Sequence, residues 1–258
     1  MFLGGDRMFI DTHCHLSKED YDNIDTVLSD NREAGIEKII ISGCTRESII
    51  ESLLFVDQYE DVYTTIGYHP SEASFTTEED LIKLEEQIQH PKVVGIGEIG
   101  LDYHYGKEDK DLQQELFRRQ LFMADRHHLP VVIHSRDATE DTISILKEFP
   151  NVVGVIHCFS GSLETARIYL SMGYYLGIGG VVTFKNSKLG DVIQAIGLSS
   201  ILLETDSPYL APEPYRGSLN SSKYIPFIAK KLSEILSISV EEVSQITLQN
   251  THTLFDFQ

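Results

Sequence analysis

Four histidines and two carboxylates in this 258-residue chain are of the types that bind divalent cations. They are His13, His15, Glu98, His134, His157 and Asp206. Mixed imidazole and carboxylate ligands suit zinc, manganese and related ions and do not choose among them. His13 and His15 lie two residues apart, so both imidazoles project from one face of an extended strand and can reach the same ion. Glu98 can use its two oxygens to bridge two cations. We therefore predict a divalent metal site.

The segments that carry these residues belong to an alternating pattern. Short apolar runs predict eight strands, at Phe9–Asp11, Lys38–Ser42, Val62–Ile66, Val93–Gly97, Val131–His134, Val153–Ile156, Tyr174–Gly177 and Ile201–Leu203. Longer amphipathic stretches predict helices, at Asp20–Ala34, Arg46–Gln58, Thr77–Gln89, Asp111–His127, Thr139–Glu148, Leu163–Met172, Lys188–Ile196 and Ser222–Leu236. Thr77 begins a Thr-x-x-Asp sequence, which favours a helix start.

Alternation of eight strands with eight helices predicts a parallel sheet. The number of strands and the chain length favour an α/β fold of the (β/α)8 type, a TIM barrel. The alternative is an open doubly wound sheet, but the G-x-G-x-x-G sequence that would favour it does not follow the first strand.

The predicted metal ligands all lie at the carboxyl ends of predicted strands. Two follow strand one, and the others follow or end strands four, five, six and eight. Barrel enzymes build their active sites at this end of the strands. Residues from nearly the whole length of the chain are therefore expected to meet at one mouth.

We expect one domain over residues 1–258, because barrels commonly reach this length as a single domain. Met8 heads a second plausible start, so residues 1–7 are expected to be a short extension without function. No apolar run approaches the roughly 18 residues of a membrane span, and the start lacks the apolar run of a signal peptide. Three cysteines without C-x-x-C spacing argue against a disulfide framework and favour a cytoplasmic location.

The charge of the chain limits how it can hold a substrate. It has 21 basic and 40 acidic residues and a formal net charge of −19. A general nucleic-acid binder would carry basic stripes instead. A substrate with phosphate would therefore depend on metal ions and a few local basic groups.

Several ordered blocks of sequence resemble the TatD family of metal-dependent deoxyribonucleases, which belongs among the amidohydrolase-like barrels. The blocks are FIDTHCHL (Phe9–Leu16), GYHP (Gly67–Pro70), GIGEIGLDYH (Gly95–His104), VVIHSRDA (Val131–Ala138), IHCFSGS (Ile156–Ser162), TFKN (Thr183–Asn186) and LLETDSPYLAP (Leu202–Pro212). The resemblance covers nearly the whole chain from Met8. The H-x-H sequence alone would be a weak signal, but so many blocks in one order are specific.

The resemblance implies a two-metal site. One metal would be bound by His13, His15 and Asp206, the other by His134 and His157, and Glu98 would bridge them. The implied activities are 3′–5′ exonuclease action on DNA and, in some relatives, removal of D-amino acids from tRNA. We therefore expect a hydrolase with two divalent ions (magnesium, manganese or zinc), and we take Glu98 and Asp206 as catalytic, with Asp206 orienting and deprotonating the water.

Two alternatives to a deoxyribonuclease stay open. The first is an amide or ester hydrolase, such as a D-aminoacyl-tRNA deacylase, on the same metal site. The second is a non-catalytic binding protein, which the complete ligand set disfavours. The expected partner is a nucleic acid, most plausibly single-stranded DNA or its 3′ ends, and a monomer is compatible with the sequence.

One segment departs from the family pattern. Family members often continue after strand eight with an RGKRNEP-like sequence, where this chain has RGSLNSS (Arg216–Ser222). The basic pair is replaced by Ser218 and Leu219. Loss of two positive charges beside the mouth could weaken polynucleotide binding or favour a smaller substrate.

Four further residues are candidates for substrate contact. They are His69, Arg136, Lys185 and Arg216. Arg136 follows a predicted ligand by two residues, so it shares the inward face of an extended segment and could hold phosphate through two hydrogen bonds. A salt bridge is the alternative for Arg136, and a turn role for His69. Lys185 and Arg216 follow strands seven and eight, where barrels often bind phosphate, or are solvated.

Overall fold

Eight strands pair in chain order, each parallel to the next, in the computed structural model, which describes residues 8–104, 106 and 108–257. The strands are β1 (Phe9–Cys14), β2 (Ile36–Gly43), β3 (Val62–Ile66), β4 (Val93–Asp102), β5 (Val131–Arg136), β6 (Gly154–Ile156), β7 (Tyr175–Ile178) and β8 (Ile201–Leu203). The helices are α1 (Ile24–Glu33), α2 (Arg46–Gln58), α3 (Glu78–Gln87), α4 (Lys110–His127), α5 (Thr139–Leu146), α6 (Leu163–Ser171), α7 (Leu189–Ile196), α8 (Ile225–Leu236) and α9 (Val240–Leu254). The predicted (β/α)8 TIM barrel is confirmed.

The barrel closes where its last strand meets its first. The N–H of Asp206 donates to the carbonyl of His13 at 3.0 Å. Thr205 donates to the buried carboxylate of Asp11 through its N–H, at 3.0 Å, and through its hydroxyl, at 2.5 Å. These bonds place the residues that follow β8 directly beside those of β1.

Apolar side chains fill the interior of the barrel as well as the layer between strands and helices. Six strands each contribute one residue to the inner cluster, namely Ile40, Tyr63, Val94, Val132, Val155 and Leu202. Leu254 and Phe255, at the end of α9, belong to the same cluster. Leu254 also lies beside Pro130, at the start of β5. The amino end of the barrel is thus closed, and the carboxyl end is left for a site.

Strand four is longer than the sequence predicted, and Glu98 lies within it instead of after it. β4 continues to Asp102, against a predicted end at Gly97. Between Ile96 and Ile99 it advances three residues while β5 advances two. Such an extra residue is a β-bulge, which turns a side chain out of the regular alternation. The predicted boundary failed because it assumed that alternation.

Side-chain caps fix where two helices begin. Thr77 accepts from the N–H of Asp80, whose carboxylate accepts from the Thr77 N–H at 2.7 Å, so α3 starts as the Thr-x-x-Asp sequence predicted. α1 begins at Ile24 instead of the predicted Asp20, because the Asn23 side chain caps it.

One helix has no counterpart among the predicted elements. Ser239 caps the start of α9, and Asn250 donates from its side chain to the carbonyls of Leu198 and Ile201 at 2.7 and 2.9 Å. α9 is therefore fastened to the start of β8, outside the alternating pattern on which the predictions relied.

Two sequence predictions concern the chain as a whole. None of the helices in the described ranges is long and apolar enough to cross a membrane. Cys14, Cys44 and Cys158 are free thiols, and Cys14 is buried, as expected of a small apolar residue. The predicted extension over residues 1–7 lies outside the described residues, so the single-domain organisation stays a prediction.

Candidate metal centre

The Glu98 carboxylate lies at the centre of the histidine cluster, and the residue is 4% exposed. Its Oε1 is 2.7 Å from His134 Nδ1 and 2.9 Å from His157 Nε2. Its Oε2 is 3.7 Å from His13 Nε2 and 3.9 Å from His15 Nε2. Each oxygen of the carboxylate thus faces a different pair of imidazoles.

His13 lies on β1 and His15 lies directly after it. This strand, like β4, departs from regular pairing. Its register with β2 shifts between Asp11 and Cys14, on either side of His13. The rings of His13 and His15 are nearly perpendicular, with centroids 5.0 Å apart. Asp206 Oδ1 lies 3.7 Å from His13 Nε2 and 3.5 Å from His15 Nε2. The loop after β8 therefore adds a carboxylate to this pair.

Asp206 has a left-handed backbone conformation, with φ of 54°. Few residues other than glycine adopt this region, although aspartate tolerates it better than most. The conformation is fixed by the hydrogen bond to the His13 carbonyl and by Tyr209, whose N–H donates to the Asp206 carbonyl at 2.9 Å. Strain on the order of 1 kcal/mol is typical of such residues, which cluster at active sites.

The electrostatics of the cluster favour an ionised Glu98 and a neutral His13. Burial alone would raise the pKa of Glu98, but His157 and His134 hold it well below its usual value. Burial lowers the pKa of His13 well below its usual value, and His157 adds to this effect. Burial also disfavours charge on His157, yet Glu98 and Glu204 raise its pKa well above the usual value. An ionised Glu98 beside a neutral His13 presents lone pairs to a metal.

Four groups of side chains in the described part of the chain bring ligand atoms within 4.8 Å of one another. They are His13–His15–Glu98, His13–His157–Asp206, Glu98–His134–His157 and His69–Asp102–His134. Both ring nitrogens of His13 are buried without a hydrogen-bond partner. A buried polar atom without a partner costs free energy, and a cation at Nε2 would remove that cost. The donor set therefore fits divalent cations.

Two carboxylates that sequence reasoning did not assign to the metal site flank its histidines. Asp102 Oδ2 lies 3.3 Å from His134 Nε2, and Glu204 Oε1 lies 3.6 Å from His157 Nδ1. Glu204 is fully buried, and burial raises its pKa. Asp102 lies within the block GIGEIGLDYH, four residues after Glu98. The one signal for Glu204 is an acidic residue directly after the apolar run of β8.

His69 joins the cluster from the end of β3. Its Nε2 lies 4.0 Å from Glu98 Oε1, and its ring centroid is 4.6 Å from that of His134. Burial lowers the pKa of His69 to about 4, so the ring is neutral at neutral pH. Its Nδ1 accepts the N–H of Ser71 at 3.2 Å. Nε2 therefore carries the proton and can donate a hydrogen bond into the site.

A cavity of about 330 Å³ opens beside the cluster. It is lined by His134, Ser135, Arg136, His157, Cys158, Ser160, Asp206 and Leu210. Arg136 thus shares the cavity with three predicted metal ligands. A second cavity of about 220 Å³, beside His69 and Asp102, contains Glu108 and Asp109, whose charges repel an anion. The first cavity is the better place for a phosphate.

The other sequence candidates lie farther out. Lys185 and Arg216 are exposed, and neither is among the described residues that line these two cavities. The Arg216 guanidinium lies 3.7 Å from the centre of the Phe184 ring, a cation–π contact. Tyr103 is 6% exposed and donates to Asp141 at 2.9 Å, so its ring is not available for stacking on a base.

Comparisons with known proteins agree with this fold. The family described as "TatD related DNase" matches residues 10–256. The uncharacterized metal-dependent hydrolase YabD of Bacillus subtilis (strain 168) is 42% identical over 252 residues, which cover 96% of this chain and 99% of YabD. The crystal structure of YjjV, a TatD homologue from Escherichia coli K12, has a TM-score of 0.89 at 34% identity, covering 96% and 97% of the two chains. A TatD family hydrolase from Entamoeba histolytica has a TM-score of 0.88 at 25% identity, covering 99% and 100%. The chain belongs to the TatD family of metal-dependent hydrolases.

Proposed function

We propose that the chain is a divalent-metal-dependent deoxyribonuclease that releases nucleotides from the 3′ end of single-stranded DNA. The observation that carries the proposal is the cavity that Arg136 shares with His134, His157 and Asp206. The negatively charged oxygens of a phosphodiester need a positively charged partner. The planar guanidinium of an arginine can donate two parallel hydrogen bonds to them. The family description as a DNase supports the same substrate.

The proposed centre holds two ions, drawn from magnesium, manganese and zinc. His13, His15 and Asp206 would hold one ion, His134 and His157 would hold the other, and Glu98 would serve both. The support for this division is that the two oxygens of Glu98 face the two histidine pairs. When bound, the ions polarise a phosphoryl oxygen and make water acidic enough to react near neutral pH.

Asp206 is the proposed base of the reaction. Its side chain is 15% exposed, within reach of both the histidine pair of β1 and the cavity. It orients the attacking water and accepts its proton as the new P–O bond forms, while the P–O bond to the 3′ oxygen of the preceding nucleotide breaks and that oxygen takes up a proton from solvent. His69 donates from Nε2 to a phosphoryl oxygen, and Arg136 holds another. Lys185 and Arg216 would contact only a longer strand.

The test is hydrolysis of single-stranded DNA labelled at its 3′ end by metal-stripped protein. Magnesium, manganese and zinc are added back singly, and Glu98→Ala is run alongside. We expect metal-dependent release of labelled mononucleotides that the variant loses. No release with any metal, from protein that binds two ions, would reject the nuclease activity.

A second candidate is an amide or ester hydrolase such as a D-aminoacyl-tRNA deacylase, which cleaves one terminal bond and does not move along a strand, and it is favoured by the outer rim. Arg216 packs on Phe184, and the neighbouring Leu219 is 53% exposed where relatives have a basic residue. Few cations therefore remain to follow a polynucleotide. Cleavage of a D-aminoacyl-tRNA without cleavage of DNA would decide for this candidate.

A further inference from the structure

The two histidines nearest Glu98 Oε1 each have a second carboxylate behind them. His134 directs Nδ1 to Glu98 and Nε2 to Asp102, at 2.7 and 3.3 Å. His157 directs Nε2 to Glu98 at 2.9 Å, and its buried Nδ1 faces Glu204 Oε1 at 3.6 Å, an ion-pair contact that is too long for a hydrogen bond. In both rings one nitrogen thus faces the metal cluster and the other faces an acid.

The two histidines of β1 have no such support among the described residues. His13 Nδ1 is buried and has no hydrogen-bond partner. The ring of His15 interacts with the thiol of Cys44, a weaker acceptor than a carboxylate. The two halves of the centre therefore differ in what holds their imidazoles, although each half has two of them.

The position of Glu204 has no explanation in packing alone. It is fully buried, its Oε1 accepts the N–H of Cys158 at 2.5 Å, and its Oε2 has no partner. Burying such a group is costly. Its place is left free by Gly177, where a Cβ would come 2.1 Å from Oε2. Burial of this carboxylate is unfavourable, and a glycine leaves the space for it. We therefore infer that Glu204 acts on His157.

We propose that Asp102 and Glu204 are positioning residues that make the Glu98–His134–His157 site the tighter of the two cation sites. A carboxylate behind a ligating imidazole fixes its tautomer and orientation and makes its other nitrogen a better donor to the metal. Two additional negative charges also lie behind this site. It is therefore filled first, and the His13–His15–Asp206 site fills at a higher metal concentration. The inference rests on the proposed two-ion centre.

The test is a titration of metal-stripped protein with Mn²⁺ alone, followed by calorimetry and equilibrium dialysis. We expect two resolved steps, the first of which is lost in His134→Ala and the second in His15→Ala. Glu204→Gln should weaken the first step by about 10- to 100-fold, as is usual when a carboxylate behind a ligand is removed, and leave the second step unchanged. Glu148→Gln is the matched control, because it removes the same charge from a carboxylate that pairs with Arg118.

Two other variants test the same role without relying on Glu204→Gln to fold. Gly177→Ala keeps every charge but displaces the Glu204 carboxylate, and Asp102→Asn removes the acid behind His134. Each should weaken the first step selectively in protein with unchanged circular dichroism. A single step of two equal sites, or equal weakening of both steps, would overturn the inference.

The inference and the proposed nuclease can fail separately. Selective weakening in a protein that cleaves no DNA would uphold the positioning role and reject the substrate. Metal-dependent DNA cleavage with unaltered binding steps in all three variants would uphold the nuclease activity and reject the positioning role.

Discussion

Several side chains of the candidate metal centre are oriented by a contact with a neighbouring group. Asp206 is held by the bond of its N–H to the His13 carbonyl, His69 by Ser71, and His134 by Asp102. Groups held in this way lose little freedom when a substrate binds. Substitutions that preserve shape should therefore alter the chemistry more than the folding.

Asp206→Asn is a substitution of this kind at the proposed base. The amide keeps the size of the side chain but accepts no proton, so we expect the turnover number for DNA to fall by about 10²- to 10⁴-fold, the usual contribution of a general base. Circular dichroism and thermal unfolding of the metal-stripped variant should match those of the metal-stripped unsubstituted protein. Asp256→Asn, at an exposed position, is the control. Unchanged turnover in Asp206→Asn would reject the role of base.

Arg136→Gln tests the phosphate contact. A hydrogen bond to a charged group contributes about 1.5–3 kcal/mol, so we expect KM for DNA to rise roughly 10- to 100-fold with a smaller change in kcat. Lys147→Gln removes an exposed positive charge elsewhere and should leave both constants unchanged. A loss confined to kcat would instead place Arg136 in the transition state only.

Sequence reasoning at the residue level depended on motifs, and this explains what it missed. The six predicted ligands carry spacing or neighbours that single them out, and the structure brings all six together around Glu98. Glu204 carries no such spacing, because its role follows from the space beside Gly177 on another strand. A contact between strands whose residues are far apart in sequence leaves no local pattern.

Among the elements, the strands that carry the central ligands are the irregular ones. β1 and β4 both shift register at their ligands, around His13 and Glu98. Regular strands alternate their side chains in and out, which would not aim these residues at one point between neighbouring strands. The hydrophobic pattern predicted eight strands correctly but not the extent of β4, because a bulge interrupts that pattern.

Thr77→Ala tests the predicted helix start of α3. Loss of the side-chain cap should lower the free energy of unfolding by about 1 kcal/mol, measured by urea denaturation. Thr253→Ala, an exposed threonine in α9, removes a similar group away from any helix start and should change stability by less than about 0.5 kcal/mol. Equal losses in the two variants would show that the cap adds nothing.

Asp80, which takes part in this cap, also makes the free energy of unfolding depend on pH. Hydrogen bonds from Arg46, at 2.5 and 2.6 Å, hold the pKa of Asp80 well below its ordinary 3.8. The unfolded chain therefore takes up this proton at a higher pH than the folded chain does. The stabilisation is complete above the ordinary pKa and is lost as pH falls below it.

We expect Asp80→Asn to reduce the fall in the free energy of unfolding between about pH 5 and pH 2. Urea denaturation at a series of pH values measures it. Identical slopes in variant and unsubstituted protein would mean that Asp80 titrates alike in both states.

For the whole molecule, the metal centre joins five strands of one barrel. Its proposed ligands lie on β1, β4 and β5 or within three residues of the ends of β1, β6 and β8. Ions bound there link parts of the sheet that unfolding would separate. Because the unfolded chain cannot present this arrangement, metal binding and folding are coupled.

Metal removal should therefore destabilise the protein. At a metal concentration 100 times the dissociation constant, binding adds about 2.7 kcal/mol to the free energy of unfolding, which corresponds to roughly 5–10 °C in Tm for a chain of this size. Thermal unfolding with Mn²⁺ and with a chelator measures this difference in Tm. In Glu98→Ala, most of the difference between the two conditions should disappear. The same Tm with Mn²⁺ and with a chelator would contradict an ion bound at the centre.

The closure of β8 onto β1 has a consequence for how the chain matures during synthesis. Asp206 reaches His13 only through the seam at which Thr205 bonds to Asp11, residues 194 positions apart. Every ligand of the Glu98–His134–His157 group has already been translated when residue 157 leaves the ribosome, whereas the group that includes Asp206 must wait for the eighth strand. Glu204, which faces His157 from the end of β8, is translated as late as Asp206, so both proposed cation sites are completed only when the first and last strands have met.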